Sequence, residues 1–100
     1  MARINVDRSR IAAFCQKHRI RRLALFGSVL RDDFGPKSDI DVLVEFDPGS
    51  VPGFLRLAQM ERELSGLLEG GTVDIRTPQD LSRYFRDEVV ASAEVQYAAQ

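Results

Sequence analysis

Gly27-Ser28-Val29-Leu30-Arg31, followed by Ser38-Asp39-Ile40-Asp41-Val42-Leu43-Val44, sets a glycine turn ahead of an apolar strand that carries two carboxylates. From Asp39 to Phe46 the residues alternate. Ile40, Val42, Val44 and Phe46 fall on one face of a strand, and Asp39, Asp41, Leu43 and Glu45 on the other. Aspartate is depleted in strands, so two of them in so apolar a segment need a reason. Carboxylates at i and i+2 project from the same face. Like charges that close destabilise each other unless a divalent cation or a proton joins them. Upstream, Arg22 to Phe26 reads as a short apolar strand and Gly27 permits a tight turn. Ser28 to Asp33 starts a short helix, which Gly35-Pro36 ends. Glycine lets the backbone approach a phosphate, the helix start offers free N–H groups, and Ser28 adds a hydroxyl. A phosphate cradle, Gly27 and Ser28, thus precedes a cation-binding pair, Asp39 and Asp41, with ten residues (29–38) between them.

Working outward, Thr72 to Arg76 is a third strand with Asp74 at its centre, between Val73 and Ile75. If this strand lies beside the Asp39–Phe46 strand, Asp74 joins the pair. Three carboxylates and two Mg²⁺ ions are the parts of two-metal phosphoryl transfer, with Asp74 as ligand or base nearest the attacking oxygen. Arg76 shares a face with Asp74; it either pairs with a carboxylate or reaches a phosphate or the acceptor. A Gly-Ser pair, an Asp-x-Asp or a lone Asp74 is weak alone. The signal is their joint placement on the required elements.

The remaining segments supply a scaffold. Residues 7–19 read as a helix with Asp7 as N-cap and Ile11, Phe14, Cys15 and His18 at helical spacing. His18 reads as a cation at the helix C-terminus rather than a ligand, and Cys15 as a structural thiol. Residues 47–53 are a loop by composition. A second amphipathic helix runs from Phe54 to Leu68, with Leu57, Met60, Leu64, Leu67 and Leu68 inward, and stops at Gly70-Gly71. Thr77-Pro78 opens a third helix carrying Leu81, Tyr84, Phe85, Glu88 and Val89. Glu94 to Ala98 alternates as a fourth, edge strand, with a continued helix as the alternative. Alternating helices and strands make the fold class α/β (α+β).

The chain has 100 residues, enough for a single domain (1–100) that buries roughly 65% of its unfolded surface. The net charge of −1 provides no global field for nucleic acid, so no direct long nucleic-acid binding is expected. One cysteine excludes an internal disulfide. Residues 1–10 lack the apolar run of a secretory signal, and no apolar stretch approaches a membrane span, so a cytoplasmic protein without membrane contact is expected.

The Gly27–Arg31 and Ser38–Val44 motifs resemble the signature of the DNA polymerase β-like nucleotidyltransferase superfamily, and within it the minimal nucleotidyltransferase, or MntA-like, group. The leading helix, the Leu23–Ser28 strand and turn, the Val73-Asp74 strand and the ending at Tyr97 fit as well, so the likeness spans nearly the whole chain. It implies a small mixed β-sheet of about four strands with helices packed on one side. It also implies Asp39, Asp41 and Asp74 as catalytic and metal-binding carboxylates, and Gly27 and Ser28 at the nucleotide phosphates of ATP. Such proteins are often encoded with a HEPN-domain partner as antitoxin and toxin, and adenylylate a tyrosine of that ribonuclease. The group leads one to expect a small or apolar residue near position 76, where this chain has Arg76.

Length gives a further expectation. Residues 20–77 are consumed by the nucleotide and metal half of the site, so the acceptor comes from another chain or from a homo-oligomer interface. A protein adenylyltransferase antitoxin meets that condition. An antitoxin that neutralises by binding without catalysis, and a small-molecule nucleotidyltransferase subunit, are the alternatives.

Overall fold

Asp7 starts the first helix, α1 (Arg8–Lys17), by accepting the backbone N–H groups of Ser9 and Arg10 at 3.0 and 3.2 Å. The computed structural model describes residues 4–32, 34–35 and 37–99. Helix α1 buries Ile11, Phe14 and Cys15. Burial pushes the Cys15 thiol up to about 12, so it remains protonated and packs as a small hydrophobe.

Four strands follow from the apolar runs: β1 (Ile20–Phe26), β2 (Ile40–Phe46), β3 (Val73–Arg76) and β4 (Glu94–Ala98). They form one mixed sheet in the order β3-β2-β1-β4. β1 runs antiparallel to both β2 and β4, whereas β3 runs parallel to β2. A parallel neighbour requires a crossover, and the second helix, α2 (Phe54–Leu67), provides it. It buries Met60 and Leu64, its C-cap Leu68 is buried too, and Gly70 at φ +76° turns the chain back toward β3. These side chains meet Ile11 and Phe14 of α1 and Leu23, Leu25, Ile40, Val42 and Val44 of the sheet in one hydrophobic cluster. Among the described residues, no helix is long and apolar enough to cross a membrane.

His18 caps α1 and ties it to α2. Its Nε2 lies 2.9 Å from Glu63 Oε1, and the Lys17 ammonium donates to both Glu63 oxygens at 3.1 and 3.3 Å. His18, at the C-terminal end of α1, thus meets a carboxylate on the neighbouring helix. The hydrogen bond from His18, then Lys17, holds the Glu63 carboxyl below its ordinary value. A carboxyl lowered by folding stabilises the protein above the ordinary carboxylate range, and that contribution is lost as pH falls through the lowered value. Glu63 is more than a third exposed, so the gain is at most about 1 kcal/mol. Thermal melts of wild type and Glu63→Gln should therefore differ by a few degrees at pH 7 and converge toward pH 3. A constant difference across that range would sink this assignment.

Three sequence expectations are corrected. Asp39 lies just before β2 rather than in it. The long helix expected after Thr77-Pro78 is divided. Thr77 and Asp80 close a capping box on a 3₁₀ turn, Pro78–Asp80, and the third helix, α3 (Arg86–Ser92), begins only after Tyr84 and Phe85. Ser82 competes for the backbone between them, its hydroxyl accepting from Tyr84 N and its carbonyl from Phe85 N and Arg86 N. Leu81, Tyr84 and Phe85 accordingly fall outside a helix, and α3 buries no residue. The short helix at Ser28–Asp33 is a 3₁₀ turn, Gly27–Leu30; Asp33 and Pro36 lie outside the described residues. At the other end, 94–98 is the edge strand, paired with β1, and the continued helix is excluded.

Candidate active site

The site forms where β1 ends and β2 and β3 begin. Phe26, the last residue of β1, is opposite Asp41, and on the other side of β2 Asp41 is in register with Asp74. The two carboxylates are therefore direct cross-strand neighbours, where like charges repel. Asp41 bears the consequence. Partial burial raises its carboxyl above the ordinary value, and the charges of Asp74 and Asp39 raise it further, against smaller lowering by Arg76 and Arg31.

Gly27 follows Phe26 directly and has φ +75°, a conformation that side-chain-bearing residues rarely adopt. A Cβ placed there would lie 2.5 Å from Asp41 Oδ2. The glycine thus leaves open the space into which the Asp41 carboxylate projects. Ser28 is next in the 3₁₀ turn, and its hydroxyl donates to the Asp39 carbonyl at 3.2 Å. That bond ties the turn to the segment that carries the carboxylates. Ser28→Ala should weaken binding of an ATP analogue by roughly tenfold, about one hydrogen bond, with little change in melting temperature. An unaltered affinity in a titration would remove Ser28 from the cradle.

Asp74 does not yet complete a three-carboxylate cage. Its Oδ2 accepts Arg76 Nε at 3.2 Å and Nη2 at 3.0 Å. Among the described residues, no three acidic, histidine or cysteine side chains are gathered closely enough to hold an ion together. Backbone register unites Asp41 and Asp74, but the Asp74 side chain is engaged by Arg76, the carboxylate pairing that the sequence held open as one role for that arginine. The donor chemistry nonetheless fits a hard divalent cation: oxygen ligands, mutual repulsion and a space that a Cβ would fill. Asp39 and Asp41 are the residues that would hold it, while Asp74, expected from the sequence as a third ligand, is turned to Arg76.

Arg31 closes the Gly27–Arg31 motif, and the sequence alone assigns it no role. It lowers the Asp41 carboxyl, and it lines an open cleft of about 600 Å³ with Gly27, Leu30, Phe85 and Glu88. The only sequence signal for it was a basic residue four positions after Gly27.

Residues 8–96 match the family described as the nucleotidyltransferase domain. The chain belongs to that family. A Methanocaldococcus jannaschii relative of this nucleotidyltransferase, provisionally named a protein adenylyltransferase, is 33% identical over 90 residues, covering 90% of this chain and 94% of the relative. A Thermococcus cleftensis relative named protein adenylyltransferase MntA is 36% identical over 56 residues, covering 56% and 54%. A solved structure described as a minimal nucleotidyltransferase superposes with TM-score 0.69 at 34% identity, covering 86% of this chain and 85% of that one. A toxin–antitoxin structure with AMP-PNP has the same fold, with TM-score 0.71 at 18% identity and coverage of 95% and 76%. The mixed four-stranded sheet with α1 and α2 packed on it is therefore the nucleotidyltransferase fold expected from the motifs.

Proposed function

We propose that this nucleotidyltransferase transfers AMP from ATP to a tyrosine hydroxyl of a HEPN-domain ribonuclease toxin, and so acts as its antitoxin in the cytoplasm. The observation that carries the reading is the registered Asp41–Asp74 pair beside the Gly27–Ser28 turn. The acceptor class is supported by relatives named protein adenylyltransferases and by the shared fold of MntA–HepT toxin–antitoxin structures.

In the reaction, the tyrosine oxygen bonds to the α-phosphorus and the bond from that phosphorus to the bridging oxygen breaks, releasing pyrophosphate. Gly27 and Ser28 receive the phosphates through backbone N–H groups, and the Ser28 hydroxyl donates to a phosphate oxygen by turning from the Asp39 carbonyl. Asp39 and Asp41 would hold Mg²⁺, which when bound offsets the negative charge of the triphosphate. Asp74 accepts the phenolic proton from the incoming hydroxyl.

The test is incubation of the purified chain with the product of its neighbouring gene, ATP and Mg²⁺, followed by intact-mass spectrometry. A gain by the partner of whole AMP units, absent with Asp39→Asn, supports the proposal. No gain with a stable complex favours neutralisation by binding alone. Neither gain nor complex points to a small-molecule acceptor.

A further inference from the structure

Arg76 is a charged group in this site to which the proposed reaction gives no task. It stands on β3 two residues beyond Asp74, on the same face, and in register with Leu43 of β2. Both of its hydrogen bonds go to one oxygen of Asp74, with Nε and Nη2 donating to Oδ2 at 3.2 and 3.0 Å. The other nearby acid, Asp80, is otherwise employed: its Oδ2 accepts the Thr77 N–H and hydroxyl at 3.0 and 3.1 Å. The guanidinium also feels the charges of Asp80 and Asp41, and so sits in the combined field of three carboxylates.

A guanidinium keeps its charge at any pH the fold survives. One held in this way fixes a positive charge beside Asp74 and uses two acceptor directions of its oxygen. A divalent ion that sought Asp74 would have to displace it or accept a cation as neighbour. Asp41 stands in register with Asp74 on the neighbouring strand, two residues after Asp39, and its carboxylate projects into the space beside Gly27, where oxygen ligands suit a divalent cation.

We propose that Arg76 takes the place of a second metal ion. The site holds one divalent cation, on Asp39 and Asp41, while the Arg76 guanidinium supplies the positive charge beside Asp74 and orients that carboxylate. This rests on the nucleotidyl-transfer reading above and revises its ion count from the two expected from sequence. Arg76 is thereby a positioning residue acting through Asp74. A chain with a small residue at this position would leave Asp74 open to a second ion.

The count can be read without turnover. Mn²⁺ binding is measured by equilibrium dialysis and electron paramagnetic resonance, with a non-hydrolysable ATP analogue present, no acceptor, and a protein-free control subtracted. Wild type should retain one Mn²⁺ per chain. Arg76→Ala and Arg76→Gln should retain two, and Arg76→Ala with Asp74→Asn should return to one. Arg76 is half exposed, so these variants are expected to fold, which a melt verifies. Two ions on wild type, or one on both single variants, would overturn the proposal while leaving nucleotidyl transfer intact. No ion on any of them would overturn it together with the cation site beneath it.

Discussion

Asp41→Asn is expected to abolish nucleotidyl transfer, by about a thousandfold or more, and to raise the melting temperature by a few degrees. The loss follows from position: Asp41 lies between Phe26 on β1 and Asp74 on β3, with Gly27 leaving room for its carboxylate. Removing one ligand charge from the proposed cation site takes away about 4 kcal/mol of transition-state stabilisation on that thousandfold figure. The gain in stability has the same origin. Burial, Asp74 and Asp39 all disfavour the charged form of Asp41 in the folded chain. A carboxyl raised by folding binds its proton more tightly in the native state than in the unfolded one. Its penalty is therefore complete above the raised value and is relieved as pH falls toward the ordinary one. Melts at pH 7 and pH 5 should show the variant ahead at pH 7, with the lead shrinking at pH 5. This window lies above the ordinary carboxylate value, and the loss tied to Glu63 lies below it, so the two separate on one pH series. A variant less stable than wild type at pH 7 would mean that the Asp41 charge supports the fold, and retained turnover would remove it from the cation site.

The parts of the site that were legible in the sequence are those that depend on local pattern. Alternation in 40–46 located β2, Gly27 located the turn, and Asp7 located the start of α1, because period and backbone freedom are properties of a few adjacent residues. The pairing of Asp41 with Asp74 was conditional, since 32 residues and a crossover helix separate them and register is set by tertiary packing. The neutralisation of Asp74 by Arg76 was visible as one option among several, because a shared face does not fix which oxygen an arginine takes. The third helix failed for a different reason. Leu81, Tyr84, Phe85, Glu88 and Val89 have helical spacing, but Ser82 and the Thr77–Asp80 box offer the backbone local partners that a periodicity count does not weigh.

Gly27→Ala is the second large effect, and it divides into two causes that can be measured apart. At φ +75° an L side chain costs about 1–2 kcal/mol whatever the space around it. The added methyl would also meet Asp41 Oδ2 at 2.5 Å, and the carboxylate, being the end of a side chain, would yield by rotating away. The first cause lowers stability, whereas the second displaces the ligand. A misplacement on that scale costs about a hundredfold in turnover, so the variant should fold with a lower melting temperature and be nearly inactive. A double-mutant cycle with Asp41→Ala separates the causes. With the carboxylate gone, the destabilisation caused by Gly27→Ala should shrink to the backbone part alone. An unchanged penalty would show that the methyl never meets Asp41, and that the glycine is needed only for its backbone. Full activity of the single variant would carry more weight: it would mean that Asp41 can leave its place opposite Phe26 without harm, and the registered carboxylate pair would no longer account for the chemistry.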